Sequence, residues 1–409
     1  MARVPSWRAE LGTFQALYAA AFGFYAVGVW RSTRDAPAIA PAVVMAVAVA
    51  ARVAMLPVVP SLSDDVYRYV WEGRVIDAGH DPYRLSPQAP ELASLRDSVI
   101  YPRVNHPELA SVYPPLALAG FALVTRLSPT VWAMKTWILL HDLALVWLLV
   151  YWVRGRGQDA TVAIAYAWSP LAIAEFAGSG HHDPTAMVWL VAALMVAERR
   201  PVFSAAALSI ATLTKLLPIV ALPFVWRSWT PRARLLAVLL LALGLGFFAF
   251  DTRGSDSGLW AYARAWSDNE LLFHYLEAWL GDPWRARLLA AGLVGVLILS
   301  LAWRRVAHPL ATRAALRAAL IVSPVAHPWY FAWGLLLEPL GRSAGWILLS
   351  LTCILSYGVF APPVEGGRFH LSLGWRWVEY GLPSAATVIA AWSRRPARGS
   401  RRGAMGGTR

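Results

Sequence analysis

Residues 61–87 read SLSDDVYRYVWEGRVIDAGHDPYRLSP and set two adjacent carboxylates, Asp64 and Asp65, directly after an apolar segment. A carboxylate at such an edge is suited to take a proton from a substrate hydroxyl, as a general base. An Asp just before a helix can also cap it by accepting a bond from a free backbone N–H. With the helix expected to begin at Val66, one cap accounts for one carboxylate and leaves the other for chemistry. Asp65 is the first choice for the base and Asp64 the close alternative. Arg68, Tyr69 and Glu72 follow on the same stretch as candidate support for the pair.

Three other places carry polar groups in apolar surroundings. GSGHHDP (178–184) offers His181, His182 and Asp183, with Pro184 suited to the first position of a helix and Asp183 to its cap. Two adjacent histidines without a spaced third ligand are a weak metal signature. The chain has only two lysines, Lys135 and Lys215, among 37 basic residues, and Lys215 stands in ATLTKLLPIVALP. An ammonium there is either a compact charge for a phosphate or a side chain reaching back to the membrane interface. SPVAHPWY (323–330) holds His327 between Pro324 and Pro328, which interrupt any helix and put the imidazole on bent or capped backbone. His327 is a hydrogen-bond partner for a phosphate or hydroxyl, or a member of an aromatic belt with Trp329 and Tyr330.

The elements that must position these groups are membrane helices. The 409 residues are 58% hydrophobic and 15% charged, with a mean hydropathy of +0.48, against about 25% charged in soluble domains. Apolar segments fall near 11–30, 38–58, 113–127, 131–153, 160–176, 184–198, 202–226, 234–250, 285–303, 313–326, 328–340, 345–360 and 375–392. Several are shorter than the roughly 17 residues that span a bilayer, so some helices are broken or only partly spanning. The first segment lacks a small-residue cleavage site and reads as a retained helix. The net charge of +13 fits cytoplasmic loops that collect Arg. A nucleic-acid interface would need a basic soluble domain, and there is none to assign. The single Cys353 excludes an internal disulfide.

Arg31 and Arg34 place their turn inside, so the SDD stretch is outside. The same rule places Arg154 and Arg156 inside, GSGHHDP outside, and Glu198-Arg199-Arg200 inside. Both flanks of 201–226 are basic. That run therefore reads as two half-helices that rise and return, with Lys215 near the turn, which is tolerated only where it lines a cavity. SPVAHPWY falls outside. Between SDD and Arg154 two apolar segments are counted where an odd number of crossings is needed. The segment opening with Tyr113-Pro114-Pro115 is the one expected not to cross. Outer aromatics such as Trp71, Tyr83, Tyr101, Tyr262, Trp266 and Trp279 are expected to be interfacial anchors. SDNELLFHYLEAWLGDP (267–283) looks amphipathic and is expected to lie on the outer surface. The organisation expected is one membrane domain over residues 1–393, with outer loops at 59–113 and 251–284. A basic, disordered cytoplasmic tail follows at 394–409.

SDDVYRYVWEG with GHDPYRLSP, YPP at 113–115, GHHDP at 180–184 followed by the lone Lys215, and HPWY at 327–330 stand in the order found in a known group. Through them the chain resembles the GT-C superfamily of integral-membrane glycosyltransferases, in particular bacterial polyprenol-phosphate-mannose-dependent mannosyltransferases. Relatives often carry His-Asn-Asp where this chain has His181-His182-Asp183, which leaves Asp183 matched. The resemblance implies an all-α polytopic bundle of about 11–13 spanning or partly spanning helices, in a bacterial inner membrane with its active site on the periplasmic or extracellular face. It implies an inverting transfer of a sugar, mannose by analogy, from a polyprenyl-phosphate donor to a glycolipid or cell-envelope glycan. An Asp would serve as base, Lys215 and His327 would bind the donor phosphate, and no cofactor is required, although some members of the superfamily use a divalent metal. Arg68, Tyr69, Glu72, Tyr83, Tyr113, His181, His182, Asp183, Trp329 and Tyr330 would line or support the site. A transporter or flippase of lipid-linked sugars is the alternative, since broken helices and buried charge are common there, though it predicts internal repeats that the sequence does not show. An inactive glycan-binding relative is a third reading.

Overall fold

The computed structural model describes residues 1–34, 37–253, 257–361 and 371–393. The tail expected at 394–409 lies outside the described residues, as do parts of the 251–284 and 361–374 loops. The chain is an all-α, multi-pass membrane protein. Among the described residues four helices are long and apolar enough to cross a bilayer: Leu11–Arg31, Val131–Gly155, Pro231–Asp251 and Pro283–Trp303. Ala160–Ala167 and Pro170–Gly178 form a further span if the pair, bent by 48°, is taken as one. Leu243, Val296, Leu299 and Trp303 stand exposed on the long helices, where lipid would cover them. Shorter apolar helices pack between the spans: Pro41–Met55, Pro115–Leu127, Pro184–Val196, Pro201–Thr214, Leu217–Ser228 and Ala344–Phe360.

The two ends of this bundle differ in chemistry. Arg156, Glu198, Arg199 and His308 converge around one small cavity, with Gly155 and Leu340 beside them. Arg8, residues 61–65, 105–114, 214–217 and 262–269, and SPVAHPWY converge around a larger cavity at the opposite end. These are the two groupings that the arginine distribution assigns to opposite sides. The amino-terminal stretch joins the second group, because the Trp7 N–H donates to Ser61 Oγ at 2.9 Å.

Three local features follow from the sequence. Pro201–Thr214 climbs to Lys215, whose backbone is extended, and the chain then turns back through short helical pieces. Trp229 Nε1 donates to Ser204 Oγ at 3.0 Å, so the return leg ends beside the start of the outward one, the rise and return read from the basic flanks. Pro115–Leu127 has 13 residues and is shorter than a bilayer span. It runs beside the Asp65–Asp77 helix, where a Cβ on Gly73 would strike Phe121 and Thr125, and where Asp77 meets Thr125 and Arg126. The Val131–Gly155 helix then starts level with the site end, where Lys135 Nζ donates to the Leu56 and Val58 carbonyls at 2.9 and 2.5 Å. The crossing count is thereby odd.

Lys135 is thus structural: it satisfies carbonyls freed at the end of the Pro41–Met55 helix. Arg52 and Asp142, both fully buried, pair at 2.7 Å. Tyr166 O–H also donates to Asp142, and Arg52 donates to the Ala167 carbonyl, so neither charge is left alone at membrane depth. Trp71, expected at the interface, is instead fully buried in the core against Tyr101. The amphipathic stretch forms the Leu272–Leu280 helix, which buries Phe273 and exposes Leu272, Tyr275 and Trp279.

Candidate active site

The larger cavity has a volume of about 910 Å³ and is lined by residues from eight separated stretches of chain. Asp64 and Asp65 lie on its wall with Arg68 and Tyr69. The helix begins at Asp65, one residue earlier than expected, and Asp64 occupies the capping position. Its carboxylate makes no capping bond, so the capping role considered for it is not seen. Burial pushes the Asp64 carboxyl above its ordinary value, with Asp65 adding to the rise and Arg8 and Arg103 opposing it.

Asp65 is the better-organised carboxylate. Asn105 Nδ2 donates to its Oδ1 at 2.7 Å, and Tyr69 O–H lies 3.5 Å from its Oδ2. Arg68 builds that arrangement from below. Its guanidinium bridges to Glu72 at 2.5 Å and donates to the carbonyls of Asn105, His106 and Leu109. The 105–109 loop is therefore clamped so that Asn105 reaches Asp65. Glu72 is buried and does not face the cavity; its part is to hold Arg68. Tyr83 does not line the cavity either, and its hydroxyl donates to the Tyr113 carbonyl at 2.7 Å, fixing a residue that does.

GHHDP meets this wall from the side. Gly180 has φ +83, a left-handed conformation that favours glycine, and this turn redirects the chain after the π-helical turn Ile173–Gly178. His182 lines the cavity, edge-on to Tyr69, Tyr113 and Phe121. Burial, with Lys215 adding, pushes its imidazole down to about 3, so His182 is neutral. His181 is fully buried behind the wall, with Nε2 3.8 Å from Asp65 Oδ2. Asp183 is buried and makes no capping bond. Its Oδ1 accepts from Lys215 Nζ and from Trp333 Nε1, each at 2.6 Å. Burial alone would raise the Asp183 carboxyl, but Lys215 outweighs it and holds the group below its ordinary value.

Lys215 therefore enters the cavity already paired. Its side chain is 21% exposed, and its Nζ lies 4.8 Å over the Tyr330 ring. His327 is likewise paired: its Nδ1 is 2.9 Å from Asp268 Oδ2. Pro328 opens the Pro328–Leu335 helix and leaves His327 on extended backbone at its cap. A parallel bridge between Asp268 and Val325 ties the two strips together. Trp329 is sandwiched between His181, at 3.8 Å, and His327, at 4.4 Å, with all three rings within 15° of parallel across each contact. Tyr262 and Trp266 complete the far wall.

Of the residues singled out in the sequence, Asp64, Asp65, Arg68, Tyr69, Tyr113, His182, Lys215, His327, Trp329 and Tyr330 line one cavity. His181, Asp183, Glu72 and Tyr83 stand behind it. Sequence reasoning missed Asn105, Asp268, Trp333 and Glu175. Glu175 carried a usable signal, since it is the one charged residue between Thr161 and Gly180. Asn105 and Asp268 carried none, because each is a polar residue in a polar loop. Among the described residues no group of three or more His, Cys, Asp and Glu is arranged to hold a metal ion.

A family model described as "Alpha-(1->6)-mannopyranosyltransferase, N-terminal domain" matches residues 3–231, more than half of the chain. The chain belongs to this family. The match takes in Asp64 through Lys215 and stops short of Asp268 and His327. An alpha-(1->6)-mannopyranosyltransferase of Mycobacterium tuberculosis is 28% identical to the chain over 153 residues, which cover 34% of this chain and 25% of that protein. The match thus spans a quarter of the length of this curated relative. No solved structure matches the chain.

Proposed function

We propose that this member of the mannopyranosyltransferase family moves a mannosyl residue from a polyprenyl-phosphate donor to a hydroxyl of a glycolipid or cell-envelope glycan, at the outer face of the membrane. The family name points to an α-(1→6) link. Inversion to an α product requires a donor in which mannose is β-linked to phosphate. Asp65 takes the proton of the acceptor hydroxyl, the freed oxygen attacks the anomeric carbon, and the bond to the donor phosphate breaks. Lys215 and His327 face the leaving phosphate and offset its growing charge. Tyr113, His182 and Trp329 offer ring edges, faces and hydrogen-bonding groups to the two sugars.

The observation that carries this reading is the convergence on one cavity of a carboxylate held by Asn105, an ammonium held by Asp183 and an imidazole held by Asp268. A donor already activated by phosphate needs no nucleotide loop, and the motifs above include none. The test is turnover by purified full-length protein, using synthetic short-chain polyprenyl-phosphate mannose and an α-mannoside acceptor. Asp65→Asn is expected to lower kcat by about 10²- to 10⁴-fold, while Asp64→Asn keeps most of the activity. Native turnover by both variants would remove the proposed base. Movement of the lipid-linked sugar across proteoliposomes without a new glycosidic bond would favour a flippase instead.

A further inference from the structure

Glu175 is fully buried, belongs to the π-helical turn, and has no place in the reaction described above. A buried carboxylate is costly unless its partners answer it. Tyr357 O–H donates to its Oε1 at 2.8 Å. On its other side His181 Nδ1 lies 3.2 Å from Oε2 and 3.2 Å from the Glu175 carbonyl oxygen. The carbonyl beside Nδ1 only accepts hydrogen bonds, so Nδ1 carries a proton, while Oε2 lies as near without making a hydrogen bond. The ring cannot turn over to exchange its nitrogens cheaply, because it is stacked on Trp329 at 3.8 Å. Its own backbone N–H is also tied to the Glu175 carbonyl at 3.0 Å. The other ring nitrogen, Nε2, is buried, has no hydrogen-bond partner, and faces Asp65 Oδ2 at 3.8 Å. That gap is about 0.6 Å beyond hydrogen-bonding range.

We propose that Glu175 is a positioning residue for the base: it holds His181 with its proton on Nδ1 and its Nε2 lone pair toward Asp65, so that the proton taken from the acceptor passes on to the imidazole. This rests on Asp65 being the base. The proton leaves the acceptor oxygen for Asp65 Oδ2 and then bonds to His181 Nε2, giving an imidazolium flanked by two carboxylates and a regenerated Asp65. No oxidant or further reactant is needed. The π-helical turn is the backbone device that makes the line possible, because one extra residue per turn brings the Glu175 carbonyl and carboxylate onto the same imidazole nitrogen. The other titratable groups around the pair are Tyr357, Tyr18 and Cys353 on the Glu175 side, and Asp64, Tyr69, Tyr113, His182, Tyr262 and Tyr330 on the Asp65 side. Asp183 and Lys215 lie beyond His182 and answer each other.

Glu175→Gln keeps the size and the hydrogen-bonding atoms but removes the charge. With the same mannose donor and acceptor, kcat is expected to fall about tenfold to a hundredfold, the range seen when an outer partner of a working histidine is lost. Loss of the negative neighbour also makes the Asp65–His181 pair release its proton more readily. The acidic limb of the kcat/KM profile is therefore expected to move to lower pH, by about one unit. Glu175→Asp, which keeps the charge, is expected to retain the native limb even where kcat falls. Histidine-selective nitrogen-15 spectra give a readout apart from turnover: the His181 signals, identified by their loss in His181→Asn, should show protonated Nδ1 in the native protein and a tautomer mixture in Glu175→Gln. An inactive Asp65→Asn together with a Glu175→Gln of native kcat and native limb overturns the positioning role alone. A Glu175→Gln slowed with an unmoved limb and unchanged His181 signals shows a merely structural role and also overturns it. Activity surviving in Asp65→Asn overturns the base and this inference together.

Discussion

The Lys215–Asp183 pair separates two roles that a single substitution would confuse. The ammonium sits 2.6 Å from Asp183 Oδ1, with Asp183 only 1% and Lys215 21% exposed. Lys215→Met removes the cation and leaves a buried carboxylate with Trp333 Nε1 as its remaining donor. Breaking a buried pair costs about 3–5 kcal/mol, and the partial exposure of Lys215 trims the expectation to about 2–4 kcal/mol. Lys215→Met with Asp183→Asn removes both charges, keeps an acceptor for Trp333, and is expected to recover most of that loss. The coupling energy of the cycle, read from thermal or denaturant unfolding in detergent, should be of the same size. Activity should behave otherwise. Lys215→Met is expected to raise the KM for the polyprenyl-phosphate donor about tenfold or more, equivalent to about 1.4 kcal/mol, with acceptor KM little changed. The double variant should regain stability without regaining donor affinity. Full recovery of turnover in the double variant would refute phosphate contact and leave Lys215 as a counter-ion for Asp183. Purely additive stabilities would refute the pairing itself.

Asp64→Asn is expected to stabilise the protein at pH 7 more than at pH 4. A carboxyl raised above its ordinary value by burial binds its proton more tightly when folded, so stability is lost as pH rises from the ordinary carboxylate value through the raised one; equal gains at both pH values in unfolding scans would contradict this. Asp268→Asn is expected to release His327 from its 2.9 Å partner and raise donor KM several-fold with unchanged acceptor KM; a change confined to the acceptor would place His327 at the wrong substrate. Gly180→Ala puts a side chain on φ +83, within 3.1 Å of Val66 and Lys135, and is expected to cost about 1–2 kcal/mol from the left-handed backbone alone, together with loss of turnover as His181 is displaced. Since Cys353 is fully buried, single cysteines report side cleanly: Ser228→Cys should react with an impermeant maleimide only from the inside and Ser63→Cys only from the outside, and the reverse pattern would invert the topology.

The sequence disclosed which residues share the cavity better than it disclosed how they pair. Asp65, His182, Lys215 and His327 were legible because each is a polar group where an apolar or Pro-broken run makes polarity costly. The rise and return at Lys215 was legible for a related reason, as two basic flanks cannot lie on opposite sides of one membrane cheaply. What could not be read is pairing, because a partner distant in sequence leaves no local trace. Asp268 and Asn105 sit in polar loops where another polar residue is unremarked, and only folding puts them on His327 and Asp65. Capping was misjudged at Asp64 and Asp183 for the same cause. A short polar residue before a helix satisfies the local rule, yet Asp183 is turned away by the stronger claim of Lys215 and Trp333. Trp71 was misplaced because an aromatic in an outer loop is usually interfacial, whereas its helix is packed on all sides.

The pairing of Lys215 and of His327 bears on how the proposed reaction is driven. A phosphodiester donor carries one negative charge, and the polyprenyl phosphate leaves carrying two. Over the same step Asp65 takes up a proton and loses its charge, so one negative charge moves from the acid wall to the phosphate. The net charge of the cavity does not change, and what favours the product side is the difference in surroundings at the two ends of that displacement. On the acid side Asp65 has Asn105 and Tyr69 as neutral donors, and a negative Asp64 on the adjoining residue works against its charge. On the opposite side Lys215 is a cation whose counter-ion, Asp183, fixes its position before any donor arrives, and Asp268 fixes the His327 imidazole beside it. Fixed cations need little reorganisation when the charge reaches them, which is the condition under which electrostatic stabilisation lowers a barrier rather than merely tightening binding. Asp183 weakens ground-state attraction for a monoanion while leaving Lys215 in place for a dianion. Removing Asp268 frees His327 to move, and should therefore weaken donor binding and lower kcat together.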